Sequence, residues 1–325
     1  MIPLRGVLEI CIPTYNRAEK LEKTLRAFVS SPFSVCKLTV LNNCSTDATS
    51  QVVERLRGGL PRLHLVTHGR NIGASPNYLR AVEVATAPYC WVLGDDDELD
   101  FSSCDRIIAA LEQQESDLIP VSGHGVKEGV SDVSSLLQEG YSFFGEHGWI
   151  SSLIFKTSCF DSSSLHNGYR NVPNLFPHLP FLIAAAEKNL TVSVIRQQLV
   201  RLTPPDGLNF APLAMRVGWV RGCRTFAPKT LLAQAVRQWD SGRSATWSIL
   251  RDILGDKAMK RTAFKILWRR YVHLILDLPW RFRLGSLLAL PLLFLPTAFC
   301  SRLREWKHRN NPSGRLEIIG DPFRS

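Results

Sequence analysis

Between Val7 and Leu93, four short apolar runs alternate with three helix-patterned stretches, and that order leaves few ways to fold. Val7-Leu8-Glu9-Ile10-Cys11-Ile12 reads as a strand ending at Pro13. Ala18, Leu21, Leu25 and Phe28 then recur at helical spacing. Residues 37–41 form a second strand pattern, followed by Asn42-Asn43-Cys44-Ser45-Thr46-Asp47 and a short helix carrying Val52, Val53 and Leu56. Residues 63–67 are a third strand, and Ser75-Pro76 opens a helix with Ser as N-cap and Pro at the first helical position. Residues 89–93 are the fourth strand. This order predicts an α/β fold, a doubly wound and mostly parallel sheet covered by helices. Such sheets bind ligands at the C-terminal ends of their strands. Pro13-Thr14-Tyr15, Asn42-Asn43 and Asp95-Asp96-Asp97 all fall at those ends.

The acidic run follows the buried-strand pattern Tyr89-Cys90-Trp91-Val92-Leu93 after one glycine. Three adjacent carboxylates repel one another unless a cation holds them. Oxygen ligands of this kind suit Mg²⁺ or Mn²⁺, ions that commonly bridge to a substrate's phosphates. An acidic turn is the plainer reading of the same residues.

Beyond Asp97 the spacing predicts a helix over 102–114 and a strand over 117–121. Residues 127–148, rich in Gly, Ser and charge, read as a mobile loop. Residues 149–155 are strand-like, 162–177 polar and punctuated, 179–188 a compact apolar helix and 191–195 a closing strand. Thr203-Pro204-Pro205-Asp206-Gly207 marks a domain boundary, with no internal repeat on either side. The expected organisation is a domain over 1–205, whose halves are 1–100 and 101–205, and a helical region over 206–325.

Charge divides along the same line. The 325 residues carry a formal net charge of +10, but residues 1–212 hold 18 Lys/Arg against 22 Asp/Glu and residues 213–325 hold 21 against 7. A basic tail of this kind suits an anionic surface, either membrane lipid or nucleic acid. Apolar content of 45% is that of a globular protein. The eight cysteines form no C-x-x-C pair, so they read as small buried residues in a reducing compartment. Met1-Ile2-Pro3-Leu4-Arg5 lacks signal-peptide n- and h-regions, which predicts a cytoplasmic active domain.

Four motifs stand in a familiar order: Cys11-Ile12-Pro13-Thr14-Tyr15-Asn16-Arg17; Asn42-Asn43-Cys44-Ser45-Thr46-Asp47-Ala48-Thr49; Asn71-Ile72-Gly73 with Asn77; and Leu93-Gly94-Asp95-Asp96-Asp97. Together they resemble a family 2 glycosyltransferase of the GT-A, nucleotide-diphospho-sugar transferase fold. The resemblance is strong over residues 8–99, weaker to about Ile195 and absent beyond. It implies transfer of a sugar from a UDP-, dTDP- or GDP-sugar donor to an acceptor, with Mn²⁺ or Mg²⁺ as cofactor and inversion at the anomeric carbon inherited from the family. The resemblance gives the first half the nucleotide and the second the acceptor. Pro13, Thr14 and Tyr15 would hold the base, Tyr15 by its aromatic face. Asn42 and Asn43 stand where the family usually has an acid reading the base edge, so the base preference is open. Asp95 and Asp96 belong to the donor site, Asp95 bonding the ribose or the metal's water shell, and Asp97 with Asp95 forms the DXD-type metal site. Asn71, Gly73 and Asn77 shape the loop near the donor. Pro76 replaces the family's frequent arginine. Arg17 and Arg70 are substitutes for it, and each also reads as an exposed surface arginine.

The family's Glu-Asp, whose Asp is the catalytic base, aligns with Pro177-His178 here. His178 is a competent general base, and a helix N-terminus disfavours its protonated form. A packing or capping histidine is the rival reading, with His166, Asp161 and Glu187 as fallback bases.

Residues 284–300 are 17 without a charge and include Pro291 and Pro296. As a helix they would span roughly 25 Å, short of a bilayer. Trp280, Arg281 and Arg283 precede them; Arg302, Arg304, Trp306 and Lys307 follow. Basic residues at both ends fit a segment that enters and returns, or lies in the interface; a buried helical subdomain is the other reading. No recognition helix, zinc spacing or RNA-binding aromatic motif stands in the tail, so anionic lipid is the expected partner and nucleic acid is not. The expected enzyme works peripherally on the cytosolic face of a membrane, on a lipid-linked or surface-polysaccharide acceptor. A sugar-phosphate nucleotidyltransferase and an inactive GT-A scaffold are the alternatives. The first usually opens with a Gly-rich phosphate loop where this chain has Pro13-Thr14-Tyr15-Asn16.

Overall fold

The computed structural model describes residues 4–123, 128–201, 212–239, 245–258 and 264–296, with Arg302. β1 (Leu8–Thr14), β2 (Lys37–Asn42), β3 (Leu63–Thr67) and β4 (Tyr89–Val92) alternate with α1 (Ala18–Val29), α2 (Thr49–Leu56) and α3 (Ala74–Val84). Next come β5 (Glu98–Leu99), α4 (Asp105–Gln113), β6 (Leu118–Pro120), β7 (Gly129–Asp132), α5 (Val133–Gln138) and α6 (Phe143–Glu146). β8 (Leu153–Lys156), α7 (Ser162–Asn171), α8 (Leu179–Glu187), β9 (Thr191–Val194) and β10 (Val200–Arg201) follow.

The main sheet has the order β3-β2-β1-β4-β8-β6-β9-β7. β1 to β4 pair in parallel, as the alternation predicts. The second half is mixed: β8 runs antiparallel to β4 and β6, β9 parallel to β6, and β7 antiparallel to β9. β1 lies inside the sheet, and Leu8, Ile10, Cys11 and Ile12 are fully buried because helices cover both faces. Phe28 and Phe33 each meet the ring of Trp91 at 6.4 Å, near edge-on. Each such side chain stabilises the fold by roughly 1.5–3 kcal/mol on burial. Glu9 is also fully buried. Its carboxylate accepts from Thr39 Oγ1 at 2.7 Å and from the Thr86 amide at 2.8 Å, and it pairs with Lys37 at 3.0 Å. Burial opposes its charge, but these partners outweigh burial and lower its pKa.

Two sequence expectations are corrected. The loop expected over 127–148 contains β7, α5 and α6 among its described residues. β7 is an edge strand with exposed Gly129 and Val130, so it lacks the alternation that marks a half-buried strand. α5 buries Val133, Leu136 and Leu137, and the Asp132 side chain caps it by accepting from the Ser135 amide. The helix expected to begin at Pro76 after an N-cap Ser75 starts two residues earlier, at Ala74. Gly73, at φ 92°, is its N-cap, a conformation that glycine adopts without strain. Pro76 still lies in the first turn, where its missing N–H has no intrahelical partner to lose. The polar stretch 162–177 also begins with a helix, α7, capped by Asp161 accepting from the Ser164 amide.

The chain divides into two compact units, Met1–Val172 with Pro180–Thr203, and Pro173–Leu179 with Pro204–Ser325. The second contains α9 (Pro212–Phe226), α10 (Lys229–Gln238), α11 (Ala245–Ala258), α12 (Phe264–Asp277) and α13 (Trp280–Leu287). Leu213, Trp219, Val220, Ile249, Ile253, Leu267, Tyr271 and Leu274 are buried among them. Arg216 and Asp252 form a buried pair at 2.6 Å. The boundary expected at 203–207 lies outside the described residues. Among the described residues no helix is long and apolar enough to cross a membrane. α13 stops at Leu287 and a 3₁₀ turn follows over Leu290–Phe294, so the described part of 284–300 is not one continuous helix. Residues 297–300, Arg304, Trp306 and Lys307 lie outside the described residues.

Candidate active site

β1 ends at Thr14 and β4 delivers Asp95 beside it, because the two strands are parallel neighbours. Thr14 Oγ1 donates to Asp95 Oδ2 at 2.6 Å. The Arg17 guanidinium reaches back from the start of α1, donating to Asp95 Oδ1 and to Asp96 Oδ2, each at 2.9 Å. Lys20 Nζ is 3.4 Å from Asp96 Oδ2, and Thr24 Oγ1 donates to the Asp95 carbonyl at 3.0 Å. The acidic run is thus held from one side by the β1–α1 turn and α1.

Burial raises the pKa of Asp95, with Thr14 and Arg17 opposing it. Burial likewise disfavours the Arg17 cation, but Asp95 and Asp96 outweigh it and raise its pKa. Arg17, read from sequence as a substitute phosphate contact or a surface arginine, is a partly buried clamp on two of the three acids. Sequence reasoning missed that role. Its signal was the helical reach of Arg17 and Lys20 from a turn packed beside the acids. Arg70, by contrast, is exposed.

Asp97 is set by a close approach. A Cβ built on Gly94 would stand 2.8 Å from Asp97 Oδ2 and 3.4 Å from Ser151 Oγ. Ser151 holds the same turn from β8's side: its hydroxyl accepts from the Gly94 amide at 2.8 Å, and its carbonyl accepts from Trp91 Nε1 at 2.9 Å.

The other predicted donor residues lie around the same strand ends. Tyr15 is 43% exposed, so its ring face is open to a ligand. Asn16 adopts φ 51° and its side chain accepts from the Thr46 amide at 2.8 Å, while its own amide donates to Ser45 Oγ at 2.9 Å. Asp47 accepts from the Ala18 amide at 2.9 Å and from the Thr49 amide at 3.1 Å, linking the starts of α1 and α2. Asn42 and Asn43 are buried. Asn42 accepts from the Ser45 amide at 2.9 Å. Asn43 accepts from the Ile72 amide at 2.9 Å and donates to Asn71 Oδ1 at 2.8 Å and the Gly73 carbonyl at 3.2 Å. Asn77 donates to the Leu41 carbonyl at 3.0 Å and meets His68 Nε2 at 2.8 Å. These amides join the loops after β2 and β3 to one another.

His178 stands in the turn directly before α8, is 5% exposed, and lies with Phe176 in the second unit, ring centroids 6.1 Å apart. Of the fallback bases, Asp161 caps α7 and pairs with Lys188 at 2.6 Å, which holds its carboxyl down at about 2. A carboxylate that acidic is a weak base at neutral pH. His166 and Glu187 are exposed.

Among the described residues no three His, Cys, Asp or Glu side chains form a ready-made metal cage. The residues nevertheless fit Mg²⁺ or Mn²⁺, which commonly take one or two protein carboxylates and complete their shell with phosphate and water. Both oxygens of Asp95 accept from Thr14 and Arg17, and Asp96 accepts from Arg17 as well.

A strand-end acidic site on a mixed sheet of this order defines a GT-A nucleotide-diphospho-sugar transferase-like protein. Residues 9–169 match the model of Glycosyl transferase family 2, and the chain belongs to that family. It is 33% identical over 97 residues to Abequosyltransferase RfbV of Salmonella typhimurium, covering 29% of each chain. It is 28% identical over 93 residues to the GalNAc(5)-diNAcBac-PP-undecaprenol beta-1,3-glucosyltransferase of Campylobacter jejuni, covering 28% of this chain and 30% of that one. The matches thus span about a third of the relatives' length. Among solved structures, S. aureus TarS aligns with a TM-score of 0.56 at 17% identity, over 85% of this chain and 50% of that one. The mannosyltransferase PcManGT of Pyrobaculum calidifontis, in complex with GDP-Man and Mn²⁺, aligns with a TM-score of 0.54 at 14% identity, over 92% and 87%. At these identities the structural likeness carries the fold.

Proposed function

We propose that the chain is a metal-dependent, inverting glycosyltransferase that moves a sugar from a nucleoside-diphosphate donor to a lipid-linked or surface-polysaccharide acceptor. We further place it peripherally on the cytosolic face of an anionic membrane. The observation that carries the catalytic reading is the acidic run at the end of β4, its first two carboxylates clamped by Thr14 and Arg17 and Asp97 close against Gly94. The relatives named as abequosyl- and glucosyltransferases, and the neighbour holding GDP-Man and Mn²⁺, support the reaction class and the donor chemistry.

In this reading Tyr15 stacks on the nucleobase, and Asn42, Asn43, Asn71 and Asn77 hold the surrounding loops in shape. Asp95 keeps the turn in register and offers its remaining lone pairs to the ribose. Asp97 holds the ion. When bound, Mg²⁺ or Mn²⁺ supplies positive charge that stabilises the departing diphosphate. Arg17 adds a second positive charge beside Asp95 and Asp96. We assign His178, by its place in the sequence directly before α8, as the base that takes the proton of the acceptor hydroxyl as that oxygen attacks the anomeric carbon.

The test is Asp97→Ala, with circular dichroism to verify the fold. Donor hydrolysis and sugar transfer should fall by roughly a hundredfold or more, the scale of losing a group that stabilises developing charge. Undiminished turnover sinks the assignment. Release of pyrophosphate rather than nucleoside diphosphate points instead to nucleotidyl transfer.

A further inference from the structure

α13 is built the wrong way round for water. Its inward face carries small residues: Ser286 is fully buried, Gly285 is half-buried, and Ala289 just beyond the helix is fully buried. Its outward face carries the large apolar ones. Trp280 is 72% exposed, Leu284 73% and Leu288 72%, with Leu287 beside them at 47%. Trp280, Leu284 and Leu288 are spaced four apart, so they form one stripe along the helix. The inward packing is specific, because Tyr271 Oη of α12 donates to the Ser286 carbonyl at 2.7 Å. Turning the stripe inward would break that seat.

The pattern continues beyond the helix. Phe294, 64% exposed, lies 5.6 Å from the ring of Phe264 and 6.2 Å from that of Trp268, both exposed on α12. Lys265 and Arg269, at neighbouring positions of α12, are exposed as well. Two tryptophans, aliphatic side chains and cations together are the composition of a segment lying at a lipid–water interface. Residues 213–325, with 21 Lys/Arg against 7 Asp/Glu, provide the complementary charge for an anionic headgroup layer. No described helix is long enough to span, which leaves docking in the interface.

We propose that the outer face of α13, with the Phe264–Trp268–Phe294 cluster, is a docking surface for an anionic lipid bilayer, Trp280, Leu284 and Leu288 entering the headgroup–acyl boundary and Lys265 and Arg269 meeting the headgroups. This deepens the peripheral placement proposed above, but it needs neither donor nor metal and is tested without them.

The full chain is sedimented with vesicles of phosphatidylcholine alone or mixed with phosphatidylglycerol, at low and high ionic strength. The expected result is binding to the anionic vesicles, weakened by salt. Leu284→Ser with Leu288→Ser should lower the partition coefficient by roughly tenfold or more, as two large apolar side chains are lost to the interface. Lys265→Glu with Arg269→Glu should remove the preference for anionic lipid. Thermal melting checks that each variant is folded, and Trp280→Ala, a single surface change, serves as a second apolar probe. Three outcomes overturn the proposal: no vesicle binding by the parent chain, equal binding by folded apolar variants, or a dimer in light scattering that the apolar variants convert to monomer. The last would assign the stripe to a second copy. Donor binding, measured separately by calorimetry, reports on the transferase reading whatever the vesicles do.

Discussion

Arg17 neutralises two carboxylates whose mutual repulsion would otherwise fall on the end of β4. Asp95 already holds its proton more tightly than an unfolded aspartate, since burial raises its pKa. For a group shifted that way, the favourable contribution is complete below the unfolded value and is lost as pH rises through the folded one. Arg17→Ala should raise Asp95 further and extend that loss towards neutral pH. The variant should melt progressively lower than the parent as pH climbs above 4, by about 1.5–3 kcal/mol of stability for a lost charged hydrogen bond. Equal melting at all pH values contradicts the clamp. Gly94 is the second residue on which the site depends. Gly94→Ala would push the Asp97 carboxylate aside, and turnover should fall roughly tenfold to a hundredfold with little change in melting temperature. The sequence pattern pointed to Asp95, Asp96 and Asp97 together. Which of them are spent on Thr14 and Arg17 was not legible, because that depends on side chains 78 to 81 positions apart meeting across β1 and β4.

At the level of elements, what could be read was what periodicity encodes. β1 to β4 and α1 to α3 announced themselves because continuous apolar runs mark strands covered on both faces and three-to-four spacing marks their covering helices. The same rules failed at β7, α5 and α6. An exposed edge strand has no alternation to detect, and helices of six and four residues offer barely one repeat. That segment holds a buried polar chain no pattern foretold. Tyr141 Oη meets His147 Nε2 at 3.0 Å, and His147 Nδ1 meets Ser152 Oγ at 3.0 Å. Ser152 donates to the Trp149 carbonyl, so His147 donates from Nδ1 to the Ser152 hydroxyl oxygen. Burial pushes Glu146, at the end of α6, up to about 7, against the hydrogen bond from Tyr141. Its stabilising contribution is therefore complete below 4.5 and lost as pH rises to about 7. Glu146→Gln, which mimics the protonated acid, should remove that slope. Relative to the parent it should gain at most about 3 kcal/mol between pH 4 and pH 8 in denaturant titrations. A parallel pH profile for the two proteins contradicts the buried, protonated acid.

Across the whole molecule, the change from a near-neutral first part to a basic second part was visible in the counts of charged residues. How the basic part folds was not, because its cohesion rests partly on charges. Asp252, 5% exposed, takes Arg216 Nε at 2.6 Å and lies 3.5 Å from Arg251 Nη2. Asp256 is fully buried, accepts from the Leu213 amide and pairs with Arg270 at 3.3 Å, and burial pushes its carboxyl up to about 6. Removing one partner of a buried pair strands the other. Asp252→Ala should cost about 3–5 kcal/mol in chemical unfolding of the full chain; a loss below about 1 kcal/mol would mean that Arg216 finds other partners at no cost. Metal-dependent donor binding rests on a different carboxylate. Calorimetric titration of the full chain with UDP-, dTDP- and GDP-sugars, with and without Mn²⁺ or Mg²⁺, tests it most directly when repeated on Asp97→Asn. The account predicts one donor that binds only with the metal present, and binding weakened by roughly tenfold to a hundredfold in the variant. Metal-independent binding, or identical affinity in the variant, would contradict it.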